Sequence, residues 1–426
     1  MPKPRYSIVV PTRHRPYTLP HTLATIVAQD HDSFEIVVAD NASGPETRRV
    51  VEELADHRVV YLRSDVSLSM SANWQRALTA CRGEWITFIG DDDGLMPGAL
   101  TECDALIAAH SVRSIRQQYA VYVWPCAGAT GEANRLQLHL GRRVQVEEAR
   151  LSLLEMMARP NSAPIPLPYH GWIHRSLYDQ AAKSGPVFQG MDPDTYAGVL
   201  LAALTDRFVS QDRPLSAIGI SGTSNTYRFV ITGLPGESTR DSVALHASEG
   251  IVRHPMVPDI PSVTAALIDG LLQIRARLGE DALPYRPSPL EIALHCAASV
   301  WRTDDEGRSQ WQRCRDKLAT ASDRETFDAA VEAASPSGRP PRMVCIERGR
   351  NGPYLVLDTR PLGVSTIAGA ATAAAAALEA TWQTGIDAYA PTSPIPPPRL
   401  LKRLERRLKG TVRGWWGDSK SSDCQA

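Results

Sequence analysis

The stretch that most constrains the fold is Gly83 to Leu100, GEWITFIGDDDGLMPGAL. Trp85, Ile86, Phe88 and Ile89 form an apolar run that ends in three consecutive aspartates, Asp91, Asp92 and Asp93, after which Gly94 and Pro97 lead into a helix. A strand apolar on both faces belongs in the centre of a parallel sheet, and ligands of such sheets gather at the carboxyl ends of the strands. The aspartates fall at that end. Adjacent carboxylates repel one another unless a cation or hydrogen-bond donors neutralise them, and clustered oxygen ligands suit Mg or Mn that also holds phosphate. The segment reads as a metal and nucleotide-diphosphate site. The alternative is a solvated acidic turn that caps the Pro97 helix.

Strand and helix signals alternate from the start of the chain, which predicts a parallel sheet covered by helices. Tyr6 to Val10 is a strand ending in Pro11-Thr12, and Pro16 opens a helix with Leu19, Leu23, Ile26 and Val27 at helical spacing. Phe34 to Ala39 is a second strand, followed by a charged amphipathic helix from Pro45 to about Asp56. Val59 to Leu62 is a third, Ser71 to Cys81 a helix, and the strand before Asp91 a fourth. A dinucleotide-binding domain would share this pattern, but the first turn reads PTRHRP, with neither GxGxxG nor GxxxxGK[ST]. No glycine loop cradles phosphate, so a metal must neutralise it. The same loop disfavours a sugar nucleotidyltransferase.

At 426 residues the chain has room for two or three domains. A formal net charge of -1 argues against general nucleic-acid binding. Seven cysteines are scattered without CxxC spacing, so neither a zinc site nor a disulfide framework is indicated and a reducing cytoplasm fits. The apolar run Ile8 to Val10 is too short for a signal peptide, and no stretch approaches the roughly 18 apolar residues of a spanning helix. The expectation is a soluble or peripheral protein.

VVPTRHRP after the first strand, VVADNAS after the second and GEWITFIGDDDGLMPGAL after the fourth, in this order and spacing, resemble the nucleotide-binding half of a family 2 glycosyltransferase with the GT-A fold. The resemblance covers residues 5 to 110 and extends more loosely to about 230. It implies that Pro11, Thr12 and Arg15 border the nucleotide, that Asp40 accepts hydrogen bonds from the base or ribose, and that Asn73 backs the site from a helix. For Asp40 the alternative is an Asx turn, and for Asn73 a helix N-cap. The family often carries Arg before that Asn, where this chain has Ala72. Asp91 would approach the ribose or a diphosphate oxygen, with Asp92 and Asp93 as metal ligands; three aspartates in a row leave this register open by one residue. In the family a carboxylate at the start of a later helix is the general base. Here that position holds Asp194, with Asp192 as its neighbour, and either residue fits; both would otherwise cap the helix.

Beyond these motifs, Ile115 to Trp124 continues the sheet, residues 125 to 145 form an insertion, and Glu147 to Ala158 is a helix. The loop around NSAPIPLPYHGWIHRSLYDQ passes the site, with His170, Trp172 and His174 as acceptor contacts or, alternatively, a packed aromatic beside a structural histidine. Helices are expected over Val263 to Arg277, Pro289 to Trp301, Arg308 to Leu318, Arg324 to Ala334 and Ala368 to Trp382. Pro391 to Pro398 reads as a rigid linker. Then Leu400, Leu401, Leu404 and Leu408 share one helix face opposite Lys402, Arg403, Arg406, Arg407 and Lys409, with Trp415-Trp416 beyond. That pattern suits an anionic membrane surface, or docking on a protein.

The expected organisation is α/β, a GT-A type mostly parallel sheet flanked by helices and followed by a mainly helical region. Residues 1–115 form the nucleotide-sugar half, 116–235 the acceptor half, 236–390 a helical extension, and 391–426 the linker and basic tail. The expected activity is inverting, metal-dependent transfer of a sugar from a nucleotide-diphosphate donor, UDP-linked, to a saccharide or glycolipid acceptor at the inner face of the membrane, with 399–416 as the membrane contact. A non-catalytic scaffold of the same fold is the alternative.

Overall fold

The computed structural model describes residues 3–130, 133–160, 163–224, 237–334, 338 and 354–383. The proline linker and the basic helix expected over 399–416 lie outside the described residues.

Four strands, β1 (Tyr6–Thr12), β2 (Phe34–Asn41), β3 (Val59–Ser64) and β4 (Trp85–Phe88), run parallel in the order β3-β2-β1-β4. Strand β4 is buried along its whole length, as its two-sided apolar pattern predicts. The sheet continues from β4 through β10 (Trp172–His174), antiparallel to both β4 and β6 (Ser114–Gln117), to β11 (Arg207–Gln211), parallel to β6, and closes on the antiparallel edge strand β9 (Val144–Glu148). Alternation along β1 sends Ile8 and Val10 to one core and Val9 to the other. The first face is covered by α1 (Leu19–Val27), α2 (Pro45–Leu54) and α4 (Ala99–Ala109). The second is covered by α3 (Met70–Ala80), α6 (Arg175–Ala182) and α7 (Pro193–Ala203). Large apolar residues such as Ile8, Leu23 and Phe88 are fully buried, each stabilising the fold by about 1.5–3 kcal/mol.

The run Ile115 to Trp124 is not one strand. It leaves the large sheet after β6 and enters a second sheet as β7 (Ala120–Val123), because the two ends pair with different partners. The expected insertion supplies β8 (Arg135–His139), which pairs with β7, and reaches into β9; the following helix, α5 (Ala149–Ala158), starts two residues later than Glu147. The second sheet has the order β13-β8-β7-β12-β5, with β5 (Gly94–Leu95) directly after the aspartates, β12 (Ser216–Ile220), and β13 (Tyr354–Asp358) from the far end of the described chain.

The C-terminal region is mainly helical, as expected. α8 (Glu237–Ser248) lies against α3, where His246 meets Ser71, while α9 (Val263–Leu278), α10 (Pro289–Ala298), α11 (Asp305–Arg315) and α12 (Ala321–Ala334) extend the core that begins at α3 and α7. The alanine-rich helix α13 (Ile367–Gln383) instead returns with β13 to the second sheet, where Ile367, Ala370, Ala374 and Leu378 pack on Tyr122, Leu136 and Leu138.

Candidate functional site

Parallel pairing of β1 with β4, in the register Val9 to Phe88, brings Thr12 and the aspartates to the same carboxyl edge. Thr12 Oγ1 donates to Asp91 Oδ2 at 2.6 Å, and Arg15 Nη1 donates to Asp91 Oδ1 at 2.9 Å and lies 3.6 Å from Asp92 Oδ2. Arg15 Nη2 also donates to the Thr223 carbonyl at 2.7 Å. Ser221 Oγ donates to Asp92 Oδ2 at 2.6 Å, and the Trp124 indole donates to the Asp92 carbonyl at 3.1 Å. All three aspartates are buried.

The three carboxylates are not equivalent. Asp93 points inward: Oδ1 accepts from the Gly219 amide at 2.8 Å, and Oδ2 from the Gly90 amide at 2.6 Å and the Tyr169 hydroxyl at 2.5 Å. His170 Nε2 lies 3.1 Å from the same oxygen. Burial pushes this carboxyl up, but His170, Tyr169 and the Gly219 amide outweigh it and hold it below the usual carboxylate range. Both Asp93 oxygens thus accept from protein donors, which ties β12 to the loop after β4. Burial raises Asp91 against the pull of Arg15 and Thr12. Asp92 is pushed up to about 7 by burial and by repulsion from Asp93 and Asp91, only partly offset by Arg15. Among the described residues no group of three or more His, Cys, Asp or Glu side chains is arranged to hold a metal. Two buried carboxylates with raised proton affinity nevertheless fit a hard cation whose remaining ligands come from a diphosphate.

Asp40, the Cα partner of Thr12 across β1 and β2, is fully buried. Its Oδ1 accepts from the Ser43 amide, three residues on, at 2.9 Å and its Oδ2 from Tyr61 at 2.5 Å, so the side chain closes its own loop, though not as the two-residue Asx turn considered for it. Asn73 is not an N-cap; that position is Ser69, whose hydroxyl accepts from Ala72 N–H, an arrangement worth about 1 kcal/mol. Asn73 instead donates to the Ala39 carbonyl at 3.1 Å and accepts from Arg76 at 2.8 Å, bracing the end of β2. Pro11 is half-buried beside this edge.

Asp192 is the N-cap of α7 without a side-chain capping bond, and Asp194 sits in the first turn. Asp194 is half-buried, and desolvation followed by repulsion from Asp192 pushes it up to about 6. It interacts electrostatically with Tyr119, Tyr169 and His170. Tyr169 and His170 also contact Asp93.

The structure does not bring Trp172 or His174 to this group. Trp172 is fully buried in β10 and packs edge-on against Tyr6 at 5.4 Å, which leaves no ring face for a sugar. His174 caps α6, accepting from the Ser176 amide, and lies edge-on to Trp85. Tyr169, Ser221 and Gly219 were not singled out from the sequence. Gly219 carried a readable signal, since a glycine inside a strand marks close backbone approach; a Cβ there would lie 1.7 Å from the Asp92 carbonyl oxygen.

Residues 7–177 match the Glycosyl transferase family 2 profile. A GalNAc(5)-diNAcBac-PP-undecaprenol beta-1,3-glucosyltransferase of Campylobacter jejuni is 36% identical over 101 residues, 23% of this chain and 33% of that protein. A PGL/p-HBAD biosynthesis glycosyltransferase of Mycobacterium bovis is 29% identical over 115 residues, 26% of this chain and 44% of that protein. The matched stretch thus spans a third to under a half of these relatives' length. Among solved structures, S. aureus TarS 1-349 in complex with UDP-GlcNAc aligns over 83% of this chain and 97% of its own, at 13% identity and a TM-score of 0.47. Residues 7–177, which include the β1–β4 edge and its aspartates, thus belong with family 2 glycosyltransferase domains.

Proposed function

We propose that the chain moves a sugar from a UDP-linked donor to an acceptor hydroxyl with inversion at the anomeric carbon. The observation that carries this reading is that two differently tuned carboxylate groups, Asp91 with Asp92 and Asp194, share the neighbours Tyr169 and His170 through Asp93 and electrostatics. Asp91 and Asp92, with Thr12 and Arg15, line the carboxyl edge of the sheet, and Asp194, raised to about 6, interacts electrostatically with His170 and Tyr169, which hold the neighbouring Asp93. A carboxylate at that value is largely ionised at neutral pH yet retains enough basicity to take a proton.

In a single displacement the acceptor oxygen bonds to the anomeric carbon as the bond to the diphosphate oxygen breaks. Asp194 takes the acceptor proton, which removes charge from the attacking oxygen; such assistance contributes on the order of 10² to 10⁴ in rate. Arg15 and Thr12 orient the Asp91 carboxylate, and the ends of β1 and β2 around Pro11, Asp40 and Asn73 supply the nucleotide wall. Asp92, with Asp91 beside it, would hold a Mn or Mg ion, which neutralises charge on the leaving diphosphate when bound. The Campylobacter relative is named for an undecaprenol-linked acceptor, which supports a lipid-linked saccharide as acceptor and work at the inner membrane face, with 399–416 as contact.

The test is calorimetric titration of UDP into the protein with and without Mn, repeated on Asp92→Asn. Metal-dependent binding that the variant loses supports the donor site. If the wild type binds no UDP with or without Mn, the donor assignment fails and the non-catalytic scaffold becomes the better account.

A further inference from the structure

Arg253, on the segment between α8 and α9, reaches from the helical extension to the N-terminus of α7. Its Nη2 lies 3.6 Å from Asp192 Oδ2, and its Nε lies 3.9 Å from the exposed Asp259. The guanidinium is largely buried, and among the described residues its Nε and Nη1, like Asp192 Oδ2, have no hydrogen-bond partner. At 3.6 Å the pair is joined by charge rather than by a hydrogen bond. The buried Asp269 of α9 interacts electrostatically with both Arg253 and Asp192, and its own carboxylate is held by the His254 amide and by Gln273. An arginine brought this far into the protein without completing its hydrogen bonds is costly. Its position is therefore best explained by the charge it supplies.

We propose that Arg253 is a positioning residue for the transfer reaction: its guanidinium neutralises Asp192, so that of the two α7 carboxylates Asp194 alone is left to accept the acceptor proton. The inference rests on the reading of Asp194 as the base. It gives the helical extension a part in the chemistry, because the cation that divides labour between the two carboxylates comes from outside the matched residues 7–177. Among the described residues, the charged and titratable groups facing the pair each act in a definite sense. Asp192 disfavours ionisation of Asp194, and His170 from the loop before β10 favours it. Tyr119 and Tyr169 face Asp194 as neutral phenols, held above their usual range first by burial. Arg253 itself faces Asp192, Asp259, Asp269 and the buried Cys296 of α10. Removing its charge leaves Asp192 uncompensated, so Asp194 must hold its proton to higher pH.

The experiment follows carboxyl carbon-13 shifts of the full-length protein labelled at aspartate, with the Asp194 signal assigned by its loss in Asp194→Asn. In Arg253→Met the Asp194 midpoint should rise by about one pH unit, equivalent to about tenfold in proton affinity. Asp192→Asn should move it down, the double variant should return it towards wild type, and Arg253→Lys should stay near wild type. Shifts of opposite sign from two neighbouring substitutions are not what loosened packing produces. An Asp194 midpoint that ignores Arg253→Met, or that moves the same way in Asp192→Asn, overturns the proposal. In parallel, pH profiles of UDP-glucose and UDP-GlcNAc hydrolysis test the underlying reading separately. An acid limb that survives in Asp194→Asn sinks the base assignment even where the titrations behave as expected.

Discussion

Asp91, Asp92 and Asp93 share one side chain and three environments. Asp93 lies below its ordinary value, so it contributes stability that is present above the usual carboxylate range and lost as pH falls through its folded value. Asp92 has the opposite sign. Raised to about 7, it binds a proton in the folded chain that the unfolded chain releases near 3.8, so stability falls as pH rises between those values. The metal-free protein should accordingly melt a few degrees lower at pH 8 than at pH 5.5. Asp92→Asn should flatten that slope, and Mn should raise the melting temperature more at pH 8 than at pH 5.5. Differential scanning calorimetry of wild type and variant at both values checks this; an unchanged slope in the variant would assign the effect to another group. The sequence announced that three carboxylates need neutralising. It did not say which one the protein itself would neutralise, because Gly219, Tyr169 and His170 reach Asp93 from 126, 76 and 77 residues away in the chain.

The decisive element is β12. It lies in the second sheet, pairs with β5 and β7, and presents the Gly219 amide to Asp93 while Ser221, just past its end, donates to Asp92. The backbone approach there leaves no room for a side chain, and the contact is with a carbonyl oxygen rather than a flexible side-chain end. Gly219→Ala should therefore force β12 from the aspartate loop, destabilise the protein by at least about 1–3 kcal/mol, and weaken Mn-dependent UDP binding. Chemical denaturation and calorimetry of the variant read both effects, and wild-type UDP affinity would show that the loop does not depend on β12. Strands β1 to β4 and the helices between them were legible because each carries its own local period. The passage from β6 to β7 was not. Arg116, Gln117 and Gln118 interrupt the apolar pattern of Ile115 to Trp124, but polar residues also occur within edge strands, and the change of sheet at Gln118-Tyr119 is dictated by partners distant in sequence.

The whole molecule closes by returning its C-terminal region to its N-terminal half. Helix α13 reads from the sequence only as a small-residue packing helix, and nothing local says that β13 will pair with β8 more than 200 residues earlier. Together they bury Leu355, Leu357, Leu362, Val364, Ile367 and Leu378 against the second sheet, the same sheet that holds β12 beneath the aspartates. At about 1.5–3 kcal/mol each, these six side chains contribute on the order of 10 kcal/mol, comparable with the roughly 5–15 kcal/mol by which a native domain is stable. A chain ending at residue 353 should therefore lose the second sheet and with it UDP binding, whereas one ending at residue 390 keeps every described element. The longer truncation should melt as the full chain does and bind UDP equally well, while failing to float with anionic vesicles if the basic segment 399–416 is the membrane contact. Thermal melting, calorimetry and vesicle flotation of the two truncated chains separate these roles. Full UDP affinity in the chain ending at 353 would mean that the donor edge stands without the second sheet, and equal flotation of the full chain and the chain ending at 390 would remove the membrane role from the tail.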